Sequence, residues 1–147
     1  MSVNIMALID FSPVCDRIVK HAGKLSGLYG AKCWLVHVAD PDPDFVGYKA
    51  GPQYVRDHKA AKLHKEHIQL QNYKKELEQT GILCEALLIQ GQINPTIIKE
   101  IKKLEIDLVV LGSHGHTRLY DLVVGSVSEF LLKKHIVPLF IIPSRKQ

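Results

Sequence analysis

The chain has 147 residues, of which 46% are hydrophobic and 23% are charged, a composition typical of a globular protein and not of a disordered one. Its formal net charge of +4 suits an anionic ligand but is too diffuse to indicate a nucleic-acid-binding protein. No stretch approaches the roughly 18 continuous apolar residues of a membrane span. Asp10 also interrupts the first apolar run before a signal peptide could form. We therefore expect one domain, residues 1–147, in the cytoplasm.

The chain begins with an apolar run over 3–9 that predicts a β-strand covered on both faces. A helical pattern follows over 13–29. Ser12 is the expected N-cap of this helix and Pro13 its first residue, because proline has no N–H to leave unbonded there. Gly30 is the expected stop.

The second apolar run, 31–38, predicts another strand, and the Pro, Gly and Asp content of 39–53 predicts a long loop after it. A helix over 54–80 is expected next, ending at Gly81. Leucines recur in it every seven residues, which indicates a row packed in the core: Leu63, Leu70 and Leu77.

A third strand is predicted over 82–89, followed by a helix over 95–104 with Asn94 as N-cap and Pro95 as first helical residue. The alternation then continues with a strand, a helix and a last strand: 106–112, 127–134 and 137–142. Five strands that alternate with helices predict an α/β fold, with a parallel sheet, right-handed crossovers and helices on both faces.

Two features that could indicate a metal site have simpler interpretations. Three histidines of the long helix lie among lysines and glutamates, which favours a solvated face: His58, His64 and His67. The cysteines are far apart in the sequence and form no Cys-x-x-Cys pair, so we expect reduced, buried thiols: Cys15, Cys33 and Cys84. His37 and Trp34, in the second strand, are expected to be buried.

Ligands of an open parallel sheet bind beyond the carboxyl ends of the strands, where the strand order reverses. The stretch "GSHGHTRLYDLVVGS" (112–126) follows the fourth strand and has the parts of a phosphate cradle. Gly112 and Gly115 allow a ligand or an anion nest against the backbone, and Gly125 with Ser126 opens a helix whose free N–H groups favour an anion. Side-chain donors are also available: Thr117, Arg118, Ser126 and Ser128.

Other interpretations of these residues stay open. Ser126 and Glu129 fit a capping box, which needs no ligand. Asp10 fits a turn residue that caps Ser12 and Pro13. Walker A and Gly-x-Gly-x-x-Gly motifs are absent from the sequence, so neither a P-loop enzyme nor a dinucleotide fingerprint is predicted.

The spacing Gly112-x2-Gly115-x9-Gly125-Ser126, after "IDLVVL" and before "VSEFLLKKHIVPLFII", resembles the nucleotide-binding signature of the universal stress protein family. The resemblance spans the chain from "MALIDFS" to the last strand. It implies a flavodoxin-like, Rossmann-like sheet of order 3-2-1-4-5, a homodimer formed through 137–142, and bound ATP, or AMP or ADP, with Mg²⁺ held through the phosphates.

The resemblance also implies a role for each site residue. Asp10 would lie by the ribose and the adenine, and the Val38 backbone would contact the adenine. Leu8 and Ile9 stand where the family often has Pro-Thr. Either residue could still contact the nucleotide through its backbone or an apolar side chain, but Ile9 has no hydroxyl with which to contact it. The remaining residues would hold the ribose and the phosphates: Gly112, Ser113, His114, Gly115, His116, Thr117, Arg118, Gly125, Ser126, Val127 and Ser128.

The predicted function is an ATP-dependent regulatory switch in a stress response. The nucleotide would order 39–53 and 113–124 and so present a surface to an unidentified protein partner. Slow ATP hydrolysis and a nucleotide-free dimeric interaction protein are the alternatives. No recognisable catalytic constellation surrounds the motif, so turnover is not predicted as its purpose.

Overall fold

The computed structural model describes residues 2–39, 53–113 and 126–143. Within these ranges strands and helices alternate, as predicted. The strands are β1 (Asn4–Leu8), β2 (Lys32–Ala39), β3 (Cys84–Gln90), β4 (Leu108–Gly112) and β5 (Leu139–Ile142). The helices are α1 (Cys15–Tyr29), α2 (Gln53–Gln79), α3 (Ile93–Lys103) and α4 (Ser126–Lys134).

The five strands are parallel and lie in the order β3-β2-β1-β4-β5, which confirms the flavodoxin-like order. In the register of the central strand β1, Leu8 lies beside Val36 of β2, and Ala7 beside Val110 of β4. The chain runs outward from β1 to β3 and then crosses back to β4, so the strand order reverses beside β1. The expected ligand edge is therefore at the carboxyl ends of β1, β2 and β4.

Both faces of the sheet are covered. One face packs against α1 and α2, where Ile18 and Leu70 belong to one buried cluster. The other face packs against α3 and α4, where Ile101 and Leu131 belong to a second cluster. Successive side chains of a strand point to opposite faces, so a sheet covered on both sides requires apolar residues at nearly every strand position. This explains the continuous apolar runs in the sequence.

Helix α1 begins later than predicted. Ser12 and Pro13 lie outside the helix, and the cap position is occupied by Val14, which makes no side-chain capping hydrogen bond. The N–H of Ser12 instead donates to the carboxylate Oδ1 of Asp10 at 3.0 Å. Asp10 therefore shapes a turn between β1 and α1 that delays the first helical residue to Cys15.

Helix α3 begins two residues earlier than predicted. Gln92 and not Asn94 is the N-cap, and the N–H of Thr96 donates to the Gln92 carbonyl at 3.1 Å. Pro95 is therefore the third helical residue. It is tolerated there because the first amides of a helix have no intrahelical acceptor.

Helix ends and the long helix agree with the predictions. Gly30 and Gly81 follow α1 and α2 in the left-handed conformation, with φ of 60° and 85°. Leu70 and Leu77 of α2 are buried, and Leu63 is half-buried. The histidines of α2 are exposed, as expected: His58, His64 and His67. Among the residues that the structure describes, no helix is long and apolar enough to cross a membrane.

The three cysteines are buried free thiols, as predicted, and two of them are neighbours in the fold. Cys33 of β2 lies directly opposite Cys84 of β3 in the strand register. The interaction of Cys84 with the Cys33 thiol, together with burial, raises the pKa of Cys84, and the Cys84 thiol donates to the Glu85 carbonyl at 3.8 Å. Separation in the sequence therefore does not mean separation in space for this pair, because strand pairing joins residues that are distant along the chain.

Candidate functional site

Three strand ends meet at the centre of the carboxyl edge of the sheet. Asp10 follows the end of β1, Val38 is the penultimate residue of β2, and Gly112 is the last residue of β4. Because β1 pairs in parallel with both β2 and β4, these residues and Leu8 share one edge. The structure thus brings four residues of the predicted site to one edge of the sheet: Leu8, Asp10, Val38 and Gly112.

Asp10 is half-buried in the turn between β1 and α1. Its Oδ1 accepts hydrogen bonds from the N–H of Ser12 at 3.0 Å and from the thiol of Cys15 at 3.3 Å. The turn-shaping interpretation of Asp10 is therefore confirmed. It is compatible with a ligand contact, because an ionised carboxylate offers two oxygens and about four acceptor positions.

The thiol of Cys15 is a stable donor to this carboxylate. Cys15 is 2% exposed, and burial raises its pKa to about 11, with the negative charge of Asp10 acting in the same direction. At neutral pH the thiol is consequently protonated and donates its hydrogen to Asp10.

The backbone beside Asp10 has an unusual conformation. Phe11 has a φ of 59°, in the left-handed region that bulky side chains rarely adopt. Such a conformation costs on the order of 1 to 3 kcal/mol and persists only where surrounding contacts hold it. One such contact is edge-to-face packing of the Phe11 ring on His37, with ring centroids 4.7 Å apart.

His37 joins three elements at this edge. It is a buried residue of β2, as predicted. Its Nδ1 lies 2.6 Å from the carbonyl oxygen of Ile9, and Nδ1 must be the donor because a carbonyl only accepts. Its Nε2 lies 3.0 Å from Oε2 of Glu66 in α2. The ring of His37 therefore connects β2 to the Asp10 turn and to helix α2.

The apolar residues at this edge offer surface and backbone rather than polar side chains. Ile9 is buried, its N–H donates to the Val36 carbonyl at 2.8 Å, and its own carbonyl faces His37. Leu8 and Val38 are half-buried and pack against the cluster under α3 and α4. An adenine-like ring would fit such a lining, which is mostly apolar with nearby backbone polar groups.

The start of α4 is tied to the end of β4. The hydroxyl of Ser128 donates to the Gly112 carbonyl at 2.9 Å, and the N–H of Ser113 donates to the Ile142 carbonyl at 2.9 Å. Ser128 is 1% exposed and uses its single hydroxyl hydrogen in this bond. This bond ties the start of α4 to the end of β4. The contact of Ser128 with a phosphate stays a prediction.

The first turn of α4 is not closed by a capping box. Ser126 is already helical and exposed, and Val127 is half-buried. Glu129 pairs with Lys133 one turn further along, at 3.0 Å between Oε1 and Nζ, and does not reach back to the helix start. The N–H groups of a first helical turn have no intrahelical acceptor, and the helix dipole makes that end attractive to anions.

The sequence matches the model of the universal stress protein family over residues 1–143. The chain belongs to the universal stress protein family. It is similar to the universal stress protein MJ0577 of Methanocaldococcus jannaschii, with 26% identity over 145 residues and 90% of each chain covered. The solved structure of MJ0577 matches with a TM-score of 0.83 at 25% identity, covering 100% of this chain and 99% of the other.

Two other solved structures of universal stress proteins contain adenine nucleotides. One is a complex with cAMP, with a TM-score of 0.71 at 15% identity and 98% of each chain covered. The other is an Arabidopsis thaliana protein with AMP bound, with a TM-score of 0.66 at 22% identity, covering 98% of this chain and 93% of that one. At these identities the likeness shows a shared fold.

Part of the predicted site of this universal stress protein lies outside the described residues: His114, Gly115, His116, Thr117, Arg118 and Gly125. Their assignment stays a prediction. In the described ranges, no group of three or more His, Cys, Asp or Glu side chains could hold a metal ion.

Sequence reasoning missed two residues that shape the site. Phe11 follows the predicted Asp10, yet its left-handed backbone has no sequence signal. Glu66 lies among the charged residues of a solvated helix and looks like its neighbours. Their shared contact His37 does carry a signal, since it is a polar residue in an apolar strand directly before Val38.

Proposed function

We propose that this universal stress protein binds ATP at the carboxyl edge between β1, β2 and β4, and acts as a nucleotide-dependent regulator in a stress response. The observation that carries the proposal is the convergence of Asp10, Val38 and the start of α4 where the strand order reverses. The cAMP and AMP bound by two proteins of the same fold support an adenine nucleotide as the ligand class.

The adenosine part would bind near the ends of β1 and β2. Oδ1 of Asp10 is used within its turn, so Oδ2 would accept a hydrogen bond from a ribose hydroxyl. The adenine would lie against Leu8 and the backbone of Val38, whose side chains are already packed into the core.

The phosphates would bind at the start of α4. The backbone amides of Ser126, Val127 and Ser128 would donate to them, together with the predicted donors of 112–118 and Gly125. Mg²⁺ would be held by the phosphates and would neutralise part of their charge. The net charge of +4 favours such an anion.

Titration calorimetry of the purified protein with ATP tests the proposal. We expect saturable binding that Asp10→Ala weakens by about tenfold or more, because a charged hydrogen-bond partner is lost. Asp107→Ala is the matched control, since Asp107 also accepts a backbone N–H, at 2.8 Å from Asn4, but at the opposite end of the sheet. It should leave affinity within about twofold.

A second variant covers the outcome in which Asp10→Ala fails to fold. Gly125→Asp would place a carboxylate at the proposed phosphate site and should abolish binding in a folded protein. No detectable heat from the wild-type protein at millimolar ATP would overturn the proposal.

We also propose that the protein forms a homodimer through 137–142. β5 is an edge strand, and such strands are hazardous unless paired or covered. Phe140 on this strand is 37% exposed, and Leu132 and Ile136 before it are also exposed. Sedimentation should show a dimer that Phe140→Lys dissociates. A wild-type monomer at all concentrations would contradict the proposal.

A further inference from the structure

We propose that His37 is a positioning residue for the nucleotide site and that Glu66 acts through it, so that nucleotide affinity depends on the placement of helix α2. The inference rests on the proposed function and adds a regulatory route into the same site. It concerns a buried connection between α2 and the turn that carries Asp10.

The two ring nitrogens of His37 face two acceptors. Nδ1 donates to the Ile9 carbonyl, so in a neutral ring Nε2 would present a lone pair to the carboxylate of Glu66. At 3.0 Å this contact is a hydrogen bond only if a proton lies between Nε2 and Oε2. With that proton in place, Glu66 favours the ring orientation in which Nδ1 is aimed at Ile9, as a carboxylate orients a histidine in other sites.

The ring in turn holds the backbone on both sides of Asp10. Ile9 precedes Asp10 and is held through its carbonyl, 2.6 Å from Nδ1. Phe11 follows Asp10, and its ring packs on the imidazole with centroids 4.7 Å apart. Because Phe11 has an unfavourable φ of 59°, loss of this support would let the turn relax and move the Asp10 carboxylate.

The connection extends to α2 because Glu66 is on the sheet-facing side of that helix. The Glu66 side chain is 13% exposed, and Leu70, one helical turn later, is fully buried in the cluster below α2. A shift of α2 therefore moves Glu66 relative to His37. By thermodynamic linkage, a nucleotide that requires the held turn would also strengthen the contact between Glu66 and His37.

Variants of Glu66 show whether ATP affinity depends on the charge of this residue, on its contact with His37, or only on the net charge of helix α2. Glu66→Ala removes the acceptor and should lower ATP affinity by about tenfold, within the range typical of mutations that alter coupling. Glu66→Gln keeps a hydrogen-bond partner for Nε2, because its amide oxygen can accept from a protonated Nε2 and its amide nitrogen can donate to an unprotonated one, and it should largely restore affinity. The matched control is Glu78→Ala, which makes the same charge change at an exposed position of α2 and should leave affinity unchanged.

Variants of His37 identify which nitrogen matters. The amide nitrogen of His37→Asn replaces Nδ1 and can donate to the Ile9 carbonyl, whereas that of His37→Gln replaces Nε2 and can reach Glu66. Both variants lose the ring that packs on Phe11, so we expect both to lose affinity, His37→Gln by more than about tenfold and His37→Asn, which keeps the bond to Ile9, by less. If His37 had only a structural role, both variants would be less stable than the wild-type protein, but their affinities for ATP would be equal.

The outcomes distinguish this inference from the proposed function. If wild-type protein binds ATP and Glu66→Ala binds it as Glu78→Ala does, the inference is overturned and the site stands. If wild-type protein does not bind ATP, the proposed function fails, and backbone NMR still tests the connection. The amide signals of Phe11 and Ser12 should shift in Glu66→Ala and not in Glu78→Ala, and unchanged signals in both would overturn it.

Discussion

The two ends of the parallel sheet use their polar groups in different ways. At the amino end, the backbone of Asn4 exchanges two hydrogen bonds with Asp107, each 2.8 Å long. The Asn4 side chain accepts from the indole of Trp34 at 3.1 Å and donates to the Glu105 carbonyl at 3.4 Å. The ammonium group of Lys32 lies 4.1 Å from the centre of the Trp34 ring. The polar groups of this end bond one another.

At the carboxyl end, polar groups instead shape the turn after β1 and tie the start of α4 to β4. Asp10 binds the next turn of its own chain, His37 holds the residues on either side of Asp10, and Ser128 fixes the start of α4. The difference teaches that the hydrogen bonds of the amino end join neighbouring strands and turns to one another. Those of the carboxyl end fix the turn after β1 and the start of α4. The nucleotide site that we propose lies at the second end.

The largest expected effect is on alkaline stability and belongs to the carboxyl end. The thiol of Cys15 has a pKa of about 11 in the folded protein against 9.0 for an ordinary cysteine. The contribution of this thiol to the free energy of unfolding is fully present below pH 9. It is lost as pH rises toward 11, because the thiol of the unfolded chain releases its proton at a lower pH than that of the folded protein. The loss is about 2 to 3 kcal/mol.

Urea unfolding of wild-type protein and Cys15→Ser between about pH 8 and 11 measures this contribution. The serine hydroxyl of the variant does not titrate in this range and can still donate to Asp10, so the difference between the two curves isolates the thiol. Burial also raises the pKa of Tyr73, which therefore adds an alkaline loss to both proteins. Parallel curves for the two proteins would contradict the prediction.

A smaller effect is expected at the amino end. Asn4→Ala removes two side-chain hydrogen bonds and leaves the indole N–H of Trp34 without its acceptor, which should cost about 2 kcal/mol in the free energy of unfolding. ATP affinity should stay within about twofold if the two ends are independent. Urea unfolding checks the first statement and calorimetry the second. A large loss of ATP affinity would show that the two ends of the sheet are not independent.

The smallest effect separates two serines of α4. Ser128→Ala removes a buried hydrogen bond to Gly112 and should lower the free energy of unfolding by about 1 kcal/mol. Ser126→Ala, at an exposed position, should change it by less than about 0.5 kcal/mol and should weaken ATP binding instead, because the Ser126 hydroxyl is a predicted side-chain donor to the phosphates. Urea unfolding measures the stability of both variants, and calorimetry measures their affinity for ATP. An equal loss of stability in both variants would show that Ser128 does not tie the start of α4 to β4.

Much of the fold was predictable because it depends on local and periodic signals. Continuous apolar runs require strands covered on both sides, and Gly30 and Gly81 mark helix ends because they adopt a left-handed conformation cheaply. The helix starts were less predictable. Asp10 bonded the Ser12 amide and moved the start of α1, and Pro95 is accepted at several first-turn positions.

The candidate site also has a part that could be predicted from the sequence and a part that could not. Residues beyond the ends of β1, β2 and β4 could be placed at one edge from the strand order implied by the family resemblance, while ATP, Mg²⁺, the dimer and the single domain stay predictions. By itself, the sequence determined the alternation of strands and helices and placed Asp10, Val38 and Gly112 at or just after the ends of strands. Only the tertiary structure decided that Ser128 bonds Gly112, that Cys33 faces Cys84, and that Glu66 contacts His37. These contacts join residues distant in the chain, and packing rather than local preference brings them together.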